Sequence, residues 1–183
     1  MTDSLTDQES LALLRIAREA IEAQVKEGHY EVRPCSEAAL NLPCGCFVTI
    51  TRDKQLRGCI GNFRTDNPLY HEVAEMAMAA ASQDPRFPPM DTRDLENFSL
   101  EISVLSPLRK ITDPEEIRVG THGIYLEKGH RRGVLLPQVA TEYGWDRETF
   151  LQQTCRKAGL PDHAWQDSGI DIFIFSARIL KES

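Results

Sequence analysis

Long apolar runs are missing from this 183-residue sequence. Charge interrupts each apolar stretch well before the roughly 18 residues that a membrane span requires. The opening Met1-Thr2-Asp3-Ser4 also lacks the basic-then-apolar order of a secretory leader, so the expected location is the cytoplasm, away from any membrane. Positive charge is in short supply: 21 Lys and Arg against 28 Asp and Glu leave a formal net charge of −7. Nucleic acid and anionic lipid both need a basic footprint, and this balance argues against either as the main partner, while a local cationic pocket stays open.

Several catalytic signatures are absent too. There is no Gly-rich phosphate loop, no GxSxG elbow, no HExxH helix and no complete catalytic triad, and nothing calls for a bound cofactor. Cys44-Gly45-Cys46 has no second cysteine pair to complete a tetrahedral site, even with Cys35 as a third sulfur, so no structural metal is expected. The five cysteines form an odd set and read as free thiols in a reducing compartment.

What is present is an ordinary globular composition, 41% hydrophobic and 27% charged, in a chain suited to one domain, residues 1–183, with halves at 1–105 and 106–183. Thr6 and Glu9 form a capping-box pattern, apolar residues at helical spacing follow, and Gly28 suits the closing position, which predicts a helix over about 7–27. A loop follows, with one helical turn near Ser36 to Leu40. Residues 47–51 and 55–60 read as a hairpin around Arg52-Asp53-Lys54. A helix capped by Asn67, with Pro68 in its first turn, carries the stripe Leu69, Val73, Met76, Ala77 and Ala80 and stops at Asp84-Pro85-Arg86-Phe87-Pro88-Pro89. Leu100, Ile102 and Val104 alternate with polar residues as a strand.

The second half repeats this order. A hairpin over 123–127 and 131–136 precedes a short helix from Pro137 to Gly144, a longer one capped by Asp146 with Phe150, Leu151, Thr154, Cys155 and Ala158 inward, and a single strand over 170–180. An offset of 75 residues aligns Arg57-Gly58 with Arg132-Gly133, and would place Leu100, Ile102 and Val104 on Phe175, Ala177 and Ile179. The expected fold is therefore α+β: two duplicated hairpin–helix–strand units whose strands join one curved, barrel-like, mainly antiparallel sheet flanked by helices.

The densest chemistry lies in Leu56-Arg57-Gly58-Cys59-Ile60-Gly61. On an extended strand Arg57 and Cys59 share a face, and a guanidinium beside a thiol favours the thiolate. Gly58 and Gly61 remove side chains, so a ligand or another backbone segment can approach. The alternative is a buried strand cysteine between two bulge glycines. Asp84 and Arg86 sit on a rigid Pro-bounded loop, either as a binding pair or as a tie that ends the helix. Glu101 is either solvent-facing or the partner of one of these arginines. His122 has no counterpart in the first half and is either a general base or a solvated turn residue. Gln138 and Glu142 fall one helical turn apart and suit a polar ligand. Trp145 reads as packing.

The hexapeptide, with Gly45-Cys46-Phe47-Val48-Thr49, Asp84-Pro85-Arg86-Phe87, Glu101-Ile102-Ser103-Val104-Leu105-Ser106, His122-Gly123, Leu135-Leu136-Pro137-Gln138-Val139-Ala140 and Gly144-Trp145, resembles the AMMECR-type domain family, protein A of the AmmeMemoRadiSam system, from about residue 8 to 180. The resemblance implies an α+β fold of two duplicated units. It further implies association with a Memo-type protein, related to extradiol dioxygenases, and with a radical-SAM protein, and makes the hexapeptide the functional site. Cys44-Gly45-Cys46 is not part of that family pattern. Two functional expectations follow: a thiol-dependent enzyme or small-molecule-handling subunit with Cys59 as nucleophile, His122 as base and Arg57 and Arg86 holding an anionic or carbonyl group; or a non-catalytic partner or scaffold for those proteins.

Overall fold

A computed structural model describes residues 5–63 and 65–182; the Met1–Ser4 segment read above for a leader lies outside them. The chain is α+β, with four α-helices and two four-stranded sheets among the described residues. Two compact units divide it: one runs to Leu105 and regains the chain from Arg178 onward, and the other is Ser106–Ala177.

In the first unit, α1 (Asp7–Glu27) begins where Thr6 Oγ1 accepts the Glu9 N–H and the Glu9 carboxylate accepts the Thr6 N–H, and it ends on Gly28 in the left-handed conformation. Strands β1 (Cys46–Arg52) and β2 (Gln55–Asn62) form a hairpin closed by Asp53 and Lys54, both at positive φ as the two-residue turn requires. Helix α2 (Leu69–Ser82) and strand β3 (Phe98–Leu105) follow. The sheet order is β2-β1-β3-β8, where β8 is Ala177–Lys181 at the far end of the sequence. Cys46, Val48, Ile50, Leu100, Ile102 and Val104 alternate onto one face and are buried with the apolar stripes of α1 and α2.

The second unit contains β4 (Arg109–Ile111), β5 (Gly123–Lys128), β6 (Arg131–Leu135), α3 (Pro137–Glu142), α4 (Arg147–Lys157) and β7 (Asp171–Phe175). Its sheet order, β4-β7-β5-β6, is that of the first unit read with β5, β6 and β7 in the places of β1, β2 and β3. Asp146 caps α4 by accepting the Thr149 N–H, and Phe150, Leu151 and Cys155 are buried with Ile124, Leu126, Ile172 and Ile174.

The duplicated order is present, and Gly58 and Gly133 take matching places: a Cβ on Gly58 would meet the Ala80 carbonyl of α2 at 2.1 Å, and one on Gly133 the Thr154 carbonyl of α4 at 2.4 Å. Four expectations need correction. The strands form two separate sheets instead of one barrel-like sheet. The 75-residue offset fails at the closing strands, because Leu100 and Ile102 pair with Ile50 and Val48, and it is Ile172 and Ile174 that pair with Leu126 and Ile124. The run over 170–180 is also two strands interrupted at Ser176, the first completing the second sheet and the other edging the first. Asn67 does not cap α2; its Nδ2 donates to Glu72 and Glu75.

Candidate functional site

The hexapeptide occupies β2 at the edge of the first sheet. The hairpin register pairs Ile50 with Gly58 but Thr51 with Leu56, so Arg57 is the extra residue of a β-bulge. The bulge breaks the two-residue alternation from which Arg57 and Cys59 were expected to meet. Instead the Arg57 guanidinium donates from Nε and Nη2 to the two oxygens of Asp94, at 3.3 and 2.8 Å, and from Nη1 to the Pro88 carbonyl at 2.9 Å. Its charge is neutralised there, and it is not the cation that serves Cys59.

Asp94 is almost fully enclosed. Burial pushes its carboxyl pKa up, but the Arg57 bonds, the Asp91 N–H and the Arg52 guanidinium at 2.8 Å together outweigh burial and bring it down to about 2. Arg52, Arg57, Pro88, Asp91, Arg93 and Asp94 line a cleft.

Cys59 lies on the sheet face turned away from the α1 and α2 core, directly across from Thr49, whose hydroxyl donates to the Cys59 sulfur at 3.2 Å. Glu101 stands on the other side of Thr49 and pairs with Lys181 at 2.9 Å, so neither Arg57 nor Arg86 is its partner. The backbone N–H of Cys59 donates to Asp84 Oδ2 at 2.8 Å. Asp84, only 4% exposed, also accepts the Arg86 backbone N–H and two bonds from the Arg86 guanidinium, at 2.9 and 2.7 Å. The Arg86 bonds are the chief reason that the Asp84 carboxyl titrates well below the usual carboxylate range, against the opposing effect of burial. Arg86 reaches back to the Cys59 carbonyl at 3.4 Å, and its guanidinium is raised in turn by Asp84, with the Cys59 side chain contributing. About half of the Arg86 side chain stays exposed. The Asp-Pro-Arg turn is thus a clamp that holds a solvent-reachable cation beside the strand that carries the thiol.

The glycines flanking Cys59 do not open space for a ligand. The room at Gly58 is taken by the Ala80 carbonyl, and a Cβ on Gly61 would meet the Phe47 ring at 2.2 Å and the Cys46 carbonyl at 2.5 Å. Gly58 lets α2 sit against the sheet, and Gly61 lets Phe47 lie across the strand.

The other cysteines have different surroundings. Cys46 and Cys155 are fully buried, and burial pushes both thiols up, Cys46 strongly. Cys44 donates to the Leu105 carbonyl at 2.8 Å and is pushed up to about 11, again by burial. Cys35 donates to Glu37 at 2.8 Å and is raised by burial and that bond. Among the described residues no three His, Cys, Asp or Glu side chains are gathered as metal ligands.

His122, in the second unit, follows a turn in which Gly120 adopts positive φ. Its Nδ1 accepts the Arg118 backbone N–H at 3.2 Å. Burial, then the Arg109 guanidinium, lower its pKa. Gln138 and Glu142 lie on α3, where neither side chain makes a hydrogen bond among the described residues. Trp145 packs on the second core and stacks on the exposed Tyr143 at 4.9 Å between ring centres. The structure therefore gathers Cys59, Asp84 and Arg86 into one site, aims Arg57 at Asp94, and places His122, Gln138 and Glu142 in the other unit. Thr49 and Asp94 were not anticipated. A hairpin register would have offered Thr49 only if the bulge had been known, and no local pattern ties Asp94 to Arg57.

Comparison with known proteins bears on the family and the fold. The AMMECR1 family model matches residues 14–180. Protein NEQ441 of Nanoarchaeum equitans is 40% identical over 177 residues, covering 93% of this chain and 98% of its own. Protein MK0488 of Methanopyrus kandleri is 41% identical over 192 residues, covering 100% of this chain and 92% of its own. The crystal structure of uncharacterized protein PH0010 from Pyrococcus horikoshii superposes with a TM-score of 0.88 at 40% identity, covering 96% of this chain and 92% of that one. A family match over nearly the whole sequence, with relatives at this identity and a shared fold, means that the chain belongs to the AMMECR1 family.

Proposed function

We propose that this protein handles a small electrophilic or anionic molecule through the Cys59 thiol, with Arg86 as the charge that receives the ligand. The observation that carries this reading is the Asp84 clamp: one enclosed carboxylate grips both the Cys59 backbone and the Arg86 guanidinium, so the cation is held against the strand that carries the thiol. Such preorganisation costs an enclosed carboxylate and is more than a helix stop requires. Thr49 adds a hydroxyl donor to the sulfur. With a carbonyl compound, the sulfur adds to the carbonyl carbon, the C=O π bond opens, and the thiol proton passes to the oxygen, whose developing charge Arg86 faces.

His122 is assigned no part in this step. Memo-type and radical-SAM proteins are the proposed partners, which supply or consume the molecule. The test is gentle purification from the native host followed by peptide mass mapping. An adduct confined to the Cys59 peptide, and lost in Cys59→Ser, supports the reading. An unmodified Cys59 that also fails to react with added aldehydes removes it and leaves the scaffold role.

A further inference from the structure

Strand β6 is the outer edge of the second sheet. Its hairpin with β5 closes at the pair Lys128–Arg131 and continues through Glu127–Arg132, Leu126–Gly133 and Tyr125–Val134. In a two-residue hairpin the closing pair is hydrogen-bonded, and bonded and non-bonded pairs alternate from there. Gly133 and Leu135 are therefore bonded to β5, while the N–H and C=O of Arg132 and Val134 point away from the sheet.

The first unit shows how such an edge can be closed. Val134 follows Gly133 as Cys59 follows Gly58, and the outward N–H of Cys59 is taken by Asp84 at 2.8 Å and its carbonyl by Arg86 at 3.4 Å. At β6 no group among the described residues takes the outward N–H or C=O of Arg132 or Val134. An edge left open in this way is a template for another strand.

The charges beside it select that strand. In a chain of net charge −7, the turn end of β6 carries two consecutive arginines. The Arg132 side chain is 66% exposed and reaches Glu127 only at 3.8 Å. Arg131 donates to the Gly159 carbonyl at 2.7 Å and has no carboxylate partner among the described residues. Neighbouring strand residues point to opposite faces, so two consecutive acidic residues on an incoming strand match both arginines. Edge charges also guard against unwanted pairing, but these sit at one end only, where they admit an acidic strand and repel a basic one.

We propose that the outer edge of β6 docks an extended, acidic segment of a partner protein, which adds as a further antiparallel strand. Its backbone bonds to Arg132 and Val134, and its carboxylates face Arg131 and Arg132. The site lies wholly in the second unit and does not depend on the Cys59 reading.

The test uses the full chain and two short peptides of alternating Thr and Val, one ending at its C-terminus in two consecutive Glu and the other in two Lys. Residue-by-residue amide hydrogen exchange, read by NMR, follows binding. In the free protein the Arg132 and Val134 amides should exchange far faster than those of Gly133 and Leu135. The Glu peptide should protect both saturably, and the Lys peptide should bind at least about tenfold more weakly. Val134→Pro removes only an outward N–H, so it should unfold at the temperature of wild type and bind the Glu peptide about tenfold more weakly or worse. Arg132→Glu, which leaves the backbone intact, should weaken the Glu peptide at least about tenfold and shift the preference toward the Lys peptide. Slow exchange of the Val134 amide in the free protein would overturn the proposal, and slow exchange that appears only as protein concentration rises would overturn it in favour of a second copy of the chain. The absence of saturable protection by the Glu peptide, or equal binding of the two peptides, would also overturn it.

Discussion

Replacing Asp84 by Asn keeps the shape of the clamp and reverses the polarity of one end. The carboxylate accepts four hydrogen bonds: two from the Arg86 guanidinium, one from the Arg86 backbone and one from the Cys59 backbone. An amide presents one oxygen and one NH2 group, so either the Cys59 N–H or part of the Arg86 contact faces a donor instead of an acceptor. A buried donor left without its partner costs about 1–3 kcal/mol. The ion pair adds less than a fully buried one would, because half of the Arg86 side chain reaches water. Together these give a loss of about 2–4 kcal/mol in the first unit.

The pH dependence has a definite sign. Both Asp84 and Asp94 titrate below their unfolded values, so each stabilises the fold above the unfolded carboxyl pKa of about 3.9 and loses that effect as pH falls through the folded one. For Asp94 that window runs from about 4 down to about 2. Urea unfolding at pH 7 and at points between pH 5 and 2, with amide exchange at Cys59, checks this. Asp84→Asn should be less stable at pH 7, should show a flatter acid limb, and should exchange the Cys59 amide faster. A variant within about 0.5 kcal/mol of wild type and an unchanged Cys59 exchange rate would refute the clamp.

Other substitutions probe the duplicated plan and its closing strand. Gly58→Ala and Gly133→Ala should each destabilise by about 1–3 kcal/mol or more, because each Cβ meets a helix carbonyl that cannot move without shifting α2 or α4; differential scanning calorimetry reads both. Ending the chain after Ser176 removes β8, the bidentate Arg18–Glu182 pair and the Lys181–Glu101 pair. The first unit should then lose its cooperative unfolding transition while the second keeps its own, a pattern that limited proteolysis resolves. Arg57→Gln should lower stability by about 1–3 kcal/mol through the stranded Asp94 while leaving Cys59 labelling close to wild type.

Much of the architecture was legible in the sequence because it is written in local terms. The capping box at Thr6 and Glu9, the left-handed Gly28, the Asp146 cap and the alternation at Leu100, Ile102 and Val104 each depend on residues within one or two turns of chain, and each is found as read. The first sheet's fourth strand was not legible as such, since residues 170–180 show continuous β character and only the partners reveal the break at Ser176. Strand β4 is three residues, two of them charged, and carries no period to detect. At the site, the pairing of Cys59 with Thr49 depends on a one-residue bulge that shifts the register, because an unbulged hairpin would set Thr49 against Gly58. The Arg57–Asp94 pair joins residues 37 apart and follows from tertiary packing alone.

The most direct test of the Cys59 site compares iodoacetamide labelling at pH 7 in wild type, Arg86→Gln and Arg57→Gln, with peptide mapping of all five cysteines. Cys59 is only partly buried, has a hydroxyl donor and lies beside a solvent-reachable guanidinium, whereas Cys46 and Cys155 are sealed in the cores. The prediction is that Cys59 labels well ahead of Cys46 and Cys155, and that Arg86→Gln slows it by about threefold or more while Arg57→Gln does not. Labelling of Cys59 no faster than that of Cys155, or a rate indifferent to the loss of Arg86, would contradict the proposed site.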